Sequence, residues 1–233
     1  MGSARTVVAI DGPSGSGKST AAWMLAVCLN YQLVDSGAMY RAVALLSIER
    51  GVEADDELAL SQLAREVGET FAFRYEGGPR GTFLSRRDVS QEIRDVEVAR
   101  RVSDVSVHPA VREEMVRLQR RIVEGRDSVV EGRDIGTVVF PDARLKVYMV
   151  AGESVRAERR HAELYGDGGP VTREDIASVM RDRDRIDSSR KLSPLRPAED
   201  AVRLDTTDMS PDDVLERLLE ECRKRGIEAA PKA

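Results

Sequence analysis

The stretch GPSGSGKS, Gly12 to Ser19, fits the spacing G-x-x-x-x-G-K-[ST] and lies directly after a β run and directly before a helix-forming segment. Glycines at 12, 15 and 17 let the backbone wrap so that successive N–H groups face phosphate oxygens, while the helix that follows offers the positive end of its dipole. In such a loop Lys18 contacts the β and γ phosphates and Ser19 ligates Mg2+. Gly12, Pro13, Ser14, Gly15, Ser16, Gly17, Lys18, Ser19 and Thr20 are therefore candidate ligands of a nucleoside triphosphate. The loop alone does not separate a kinase from a GTPase or a motor.

Three further stretches concentrate arginine. LVDSGAMYRA (residues 33 to 42) runs from an apolar pair into Asp35, Ser36, Tyr40 and Arg41. EGRDIGT (131 to 137) follows Ser128-Val129-Val130 with Arg133 and Asp134. In an open α/β sheet, ligands gather outside the carboxyl ends of the strands, so Arg41 and Arg133 are expected to aim at one crevice and a second anion. MRDRDRIDSSRKLSPL places Arg181, Arg183, Arg185 and Arg190 among Asp182, Asp184 and Asp187, a mixed run that also fits a solvated helix face. Arg156, Arg159 and Arg160 share one side of a helix, and the GDGG after it could hinge a lid.

Positioning these groups takes regular elements. Val7–Ile10, Tyr31–Val34, Ser128–Val130, Leu145–Val150 and Ala201–Leu204 read as buried parallel strands. Helical patterns fall at 18–29, 38–50, 91–106, 110–124, 154–165, 172–186 and 211–225, with Thr172/Asp175 and Ser210/Asp213 as N-terminal caps of the last two. The alternation predicts an α/β fold, a five-stranded parallel sheet flanked by helices. Phe71–Tyr75, EGGPR and Thr82–Leu84 break the rhythm as two strands around a glycine turn, which predicts a small α+β lobe inserted at about 65–108. The core is then 1–64 with 109–225, and 226–233 is an expected disordered tail. Trp23, the single tryptophan, is expected in the core.

Composition narrows the partners. The 233 residues, 41% hydrophobic and 33% charged, suffice for one good core and a small second lobe. With 36 Lys plus Arg against 41 Asp plus Glu, there is no broad basic surface for a nucleic acid polymer, whereas small charged ligands remain possible. No apolar run of about 18 residues and no secretory signal are present, so a cytoplasmic protein without membrane contact is expected. Cys28 and Cys222, with two histidines, make neither a disulfide framework nor a zinc site.

Together, DGPSGSGKST, DSGAMYRA, DVSQEIR, EGRDIGTVVFPDA, RAERR and the run from Arg183 and Asp187 to Arg190 and SPL resemble the bacterial cytidylate kinase family over about residues 6 to 225. The resemblance implies a P-loop kinase fold with an enlarged lobe for the nucleoside monophosphate (NMP), a lid near 154–190, ATP-dependent phosphorylation of CMP and dCMP, and a monomer. Carried over residue by residue, it gives Ser36, Arg41 and Arg133 to the acceptor's phosphate, with Tyr40 nearby. Ser103, Arg112 and Asp134 then face cytosine, and Arg183, Asp187 and Arg190 lie near the sugar and the transferring group. Lys18, Arg133, Arg183 and Arg190 become the catalytic cations, Arg159 joins the ATP site, and Ser19 is the Mg2+ ligand.

Two rivals stay open at this level. A P-loop kinase of a hydroxyl-bearing metabolite would use Asp35 as general base, which the CMP reaction does not need. A nucleotide-dependent switch would hydrolyse slowly; no N-K-x-D guanine-reading motif supports a GTP form of it.

Overall fold

The computed structural model of the protein describes residues 5–74, 81–166 and 171–230. In chain order its elements are β1 (Val7–Asp11), α1 (Lys18–Leu29), β2 (Gln32–Asp35), α2 (Ser36–Glu49), α3 (Glu57–Thr70), β3 (Phe71–Arg74), β4 (Gly81–Leu84), β5 (Arg87–Asp88), α4 (Val96–Val105), α5 (Pro109–Val123), β6 (Ser128–Gly132), β7 (Leu145–Val150), α6 (Glu153–Tyr165), α7 (Arg173–Ser189), β8 (Val202–Asp205) and α8 (Pro211–Lys224). They divide into two compact units: the chain up to Val34 with the chain from Val123 onward, and Asp35–Ile122.

The first unit is built on a five-stranded sheet of order β2-β6-β1-β7-β8. β1 runs parallel to β6 with Asp11 opposite Gly132, and parallel to β7 with Asp11 opposite Tyr148. All five residues of β1 and of β6 are buried, which is why Val7–Ile10 and Val129–Val130 show no alternation with polar residues. On one face, Ala21, Ala22, Leu25, Ala26 and Leu29 of α1 pack with Val8, Ile10, Val129, Leu145, Val147 and Met149 of the sheet and with Val214, Leu218 and Cys222 of α8. Trp23 points off that stripe and is 57% exposed, which corrects its expected place in the core. One step along a helix turns a side chain through about 100° away from its neighbour. Both predicted capping boxes form, Thr172 with Asp175 and Ser210 with Asp213.

The tail differs from expectation. Ile227 is buried in the core, and the Ala230 N–H donates to the Leu29 carbonyl at 2.8 Å, so residues 226–230 are held against the end of α1. Residues 231–233 of the expected disordered tail, the EGGPR turn and the GDGG segment beyond Gly166 lie outside the described residues.

In the second unit β3, β4 and β5 form an antiparallel sheet. The expected helix over 91–106 is divided: a 3-10 turn at Glu92–Arg94 precedes α4, with Asp95 between them in extended backbone. α3 was not expected from the sequence, although Asp56 caps it at Ala59 and Leu60, Leu63, Ala64 and Val67 line its buried face. The unit therefore spans more chain than the 65–108 lobe, because α2, α3 and α5 belong to it. Among the described residues no helix is long and apolar enough to cross a membrane.

Candidate active site

At the carboxyl end of β1 the chain turns through residues 12–17 into α1. A side chain at Gly12 is impossible here, since a Cβ would fall 2.1 Å from the Met149 carbonyl oxygen. Gly17, at φ 83°, is the N-cap of α1 and brings no side chain to the first-turn N–H groups, which leaves the helix end open to an anion. Lys18 folds back over the loop, its Nζ donating to the Pro13 carbonyl at 2.6 Å and to Ser16 Oγ at 3.4 Å. Ser19 Oγ donates to Glu131 Oε2 at 3.0 Å. Glu131, next to last in β6 and opposite Ile10 of β1, is buried, a placement that gives the loop a carboxylate which motif reading does not show. Only the sheet order shows it: β6 is distant in sequence and adjacent in space.

A cluster of cations stands next to this loop. Burial pulls the Lys18 ammonium down to about 7, and Arg133 and Arg183 push it the same way, while Glu131 and Asp11 oppose them. Asp187 takes Arg133 Nε at 3.1 Å, Arg190 Nη1 at 3.3 Å and Arg183 Nε at 3.9 Å. Burial would raise the Asp187 carboxyl, yet the arginines at 133, 183 and 190 hold it below the usual carboxylate range. Three guanidinium groups thus converge on one carboxylate beside Lys18, a concentration of cations that suits a polyphosphate.

The mixed charge run of α7 separates by helical period. Residues 183, 187 and 190 share one face and meet at Asp187, whereas Arg185 pairs with Asp182, and Arg181 with Glu153 and Glu174, at exposed positions. One half of that run is therefore an exposed, ion-paired face, and the other half gathers at the buried Asp187. From α6, Arg156 donates to the Ser14 carbonyl at 3.1 Å and to Asp184 at 2.6 Å. Arg159 donates to the Thr206 hydroxyl and carbonyl, and that hydroxyl donates to the Ser16 carbonyl at 3.1 Å. Arg156 and Thr206 are contacts of the phosphate loop that sequence reasoning had not assigned. Arg160 instead pairs with Glu163 at the surface.

The stretch after β6 is held by β1. Asp11 Oδ1 accepts from the Ile135 N–H at 2.8 Å and Oδ2 from the Gly136 N–H at 2.7 Å. The Asp134 carbonyl accepts from Val138 and Val139, winding residues 135–139 into a π-helical turn behind the buried Asp134.

Within the second unit the other candidates are also gathered. Asp35 caps α2, accepting from the Ala38 N–H at 3.0 Å on one oxygen and from Arg41 at 2.8 Å on the other. The Arg112 guanidinium lies 5.4 Å from the centre of the Tyr40 ring and donates to the Ser106 carbonyl, and the Ser106 hydroxyl donates to the Ser103 carbonyl. Tyr40, Ser103 and Arg112 are all buried, and Ser36 is buried at the first position of α2.

Residues 8–224 match the family model described as cytidylate kinase. The chain belongs to the cytidylate kinase family. It is 43% identical over 217 residues to a cytidylate kinase of Caldanaerobacter subterraneus subsp. tengcongensis, covering 93% of this chain and 94% of the relative. It is 41% identical over 215 residues to a cytidylate kinase of Bacillus thuringiensis, covering 92% and 95%. Among solved structures, an uncharacterized protein from Eubacterium ventriosum superposes with a TM-score of 0.51 at 12% identity, covering 95% of this chain and 99% of that one, a likeness of fold alone.

In this family member the Asp187 hub has a consequence for stability. Asp187→Ala leaves the nearly buried Arg190 facing Arg133 and Arg183 without their shared carboxylate, and is expected to cost about 3 kcal/mol. Because the arginines lower the Asp187 pKa, the carboxylate's contribution is complete at neutral pH and is lost only as pH falls through that lowered value. Thermal melts should show a gap between the two proteins that is constant near neutrality and narrows in acid; a gap that widens in acid would contradict the assignment.

Proposed function

We infer that the protein transfers the γ-phosphoryl group of ATP to CMP and dCMP, giving ADP and CDP or dCDP. The observation that carries this function is the phosphate loop whose Lys18 stands in the field of Arg133 and Arg183. A slow switch has no need of so many cations beside one loop, whereas transfer between two phosphorylated nucleotides must neutralise both. Family membership supplies the acceptor's identity.

No general base is required. A nucleoside monophosphate has a second phosphate pKa of about 6, so at neutral pH its oxygen is already a nucleophile. Asp35, the base of the rival kinase, has its oxygens engaged in capping α2 and in holding Arg41. What this chain supplies is placement and charge: loop N–H groups and Lys18 for the donor phosphates, Arg133 for the acceptor's phosphate and the transferring group, and Arg183 and Arg190 for the transferring group. Arg159, tied to Thr206, belongs to the donor side. Ser36, Tyr40, Arg41, Ser103, Arg112, Asp134 and Asp187 belong to CMP, with Asp134 matched to the cytosine amino group that uracil lacks.

The Ser19 hydroxyl and Glu131 carboxylate are hard oxygen donors at the loop, and they fit Mg2+, which keeps several waters and takes few protein ligands. Bound there with ATP, Mg2+ would supply charge neutralisation on the phosphates. The same assignment carries a monomeric, cytoplasmic enzyme.

A coupled ADP-release assay with Mg-ATP and CMP, dCMP, UMP, AMP, GMP or shikimate, with an acceptor-free control, tests the proposal. Turnover confined mainly to CMP and dCMP is expected; acceptor-independent hydrolysis, or activity with another acceptor alone, would overturn it. Arg41→Ala should remove an ionic contact to the acceptor of about 2 kcal/mol, raising the CMP KM roughly 30-fold with little change for ATP. Equal losses for both substrates would remove Arg41 from the acceptor site.

A further inference from the structure

We propose that Asp11 is a positioning residue for acceptor recognition: by accepting two consecutive backbone N–H groups it fixes the turn from which Arg133 and Asp134 act. This rests on the assignment of those two residues to the acceptor nucleotide. Asp11 lies outside the loop's consensus and touches neither nucleotide in the proposed mechanism.

Its placement is costly. The carboxyl is buried at the end of β1, and burial pushes it up to about 6, with the nearby Asp134 charge adding to the strain and the Gly136 and Ile135 N–H groups and Lys18 relieving it. A neutral side chain would avoid that cost. Two parallel N–H donors, however, need two acceptor oxygens side by side, and among the side chains only a carboxylate provides them.

The turn is also confined from its far side. A Cβ built on Gly136 would come within 3.2 Å of both Cγ and Cδ of Lys146, whose stem fills that space and whose Nζ is drawn to Asp200 at 2.9 Å. Lys146 is buried although it carries a charge, so its stem acts as packing and its ammonium as an anchor. Farther along, the Phe140 N–H donates to the Ile135 carbonyl at 2.7 Å, closing the turn on itself. Held between Asp11 and the Lys146 stem, the backbone at 135–136 has little room to move. Arg133 and Asp134 immediately precede it.

Asp11→Asn keeps the shape and exchanges one acceptor oxygen for an NH2 group that opposes a backbone N–H. Loss of a partner that orients a functional group commonly costs 10- to 100-fold, so we expect kcat/KM for CMP to fall about 30-fold. CMP-over-UMP discrimination should fall about tenfold, with the ATP KM changed far less, because the hydrogen bonds lost hold the acceptor-side turn while the Asp11 charge reaches Lys18 only through space. Gly136→Ala loads the same turn from the Lys146 side without altering the phosphate loop, and should give the same selective loss even if Asp11→Asn folds poorly. Equal losses for ATP and CMP, or CMP kinetics unchanged in folded variants, would overturn the positioning role. Asp134→Asn in the same assays separates the two layers. If it leaves CMP-over-UMP discrimination intact, the acceptor assignment itself fails; if it abolishes discrimination while Asp11→Asn and Gly136→Ala do not, only the positioning role fails.

Discussion

Lys18→Met should lower kcat for CMP phosphorylation by about 10³-fold while leaving the fold intact, the scale expected when a preorganised charged donor is removed from a developing anion. Lys18 is buried at the head of α1, and its Nζ contacts a carbonyl and a hydroxyl of its own loop, which phosphate oxygens can replace. Methionine has a similar length and no charge. Because burial and the neighbouring arginines disfavour the lysine's charged form, the substitution removes a strain from the folded protein. The variant should therefore melt at or above the wild-type temperature. Steady-state kinetics with a melting curve on the same preparation decide the matter. A tenfold loss or less would mean that Lys18 is not the principal donor to the transferring group, and a lower melting temperature would mean that its loop contacts hold the fold.

The second large effect is expected at Arg133. Its Nε is committed to Asp187 and its Nη1 contacts the Gly132 carbonyl at 3.3 Å, so the guanidinium plane is set by contacts within the protein. A preset arginine at a transferring phosphoryl group is worth about 10³-fold or more in turnover. Arg133→Met should reach that scale in kcat/KM for CMP. Arg133→Lys should recover little, since one ammonium cannot hold Asp187 and present a planar fork to an anion together. Recovery to within tenfold by lysine would show that charge alone matters there. Binding of Mg-ATP without acceptor, followed by calorimetry, should weaken far less than turnover; a parallel loss would move Arg133 to the donor site.

Local pattern carried much of the protein. Largely apolar runs marked β1, β6 and β7 because strands covered on both faces show no regular polar side, and Gly12 to Ser19 announced a phosphate loop because its backbone shape admits few other residues. The capping boxes at Thr172 and Ser210 were legible for the same reason: cap and partner lie three residues apart. What those patterns could not show were pairings over long sequence separations. Glu131 reaches Ser19 across 112 positions, and Asp11 reaches Ile135 and Gly136 across 124 and 125, only because β6 pairs beside β1. Thr206 meets Ser16 across 190 positions, and Arg133 meets Asp187 across 54. Charge pattern likewise left α7 ambiguous, since each arginine's role depends on whether its side of the helix faces Asp187 or water. Sequence by itself determined the strands of the five-stranded sheet, most of the helices and the chemistry the loop invites, though not α3; the tertiary structure decided which carboxylate meets which cation, because burial and distance are set by strand order and not by spacing along the chain.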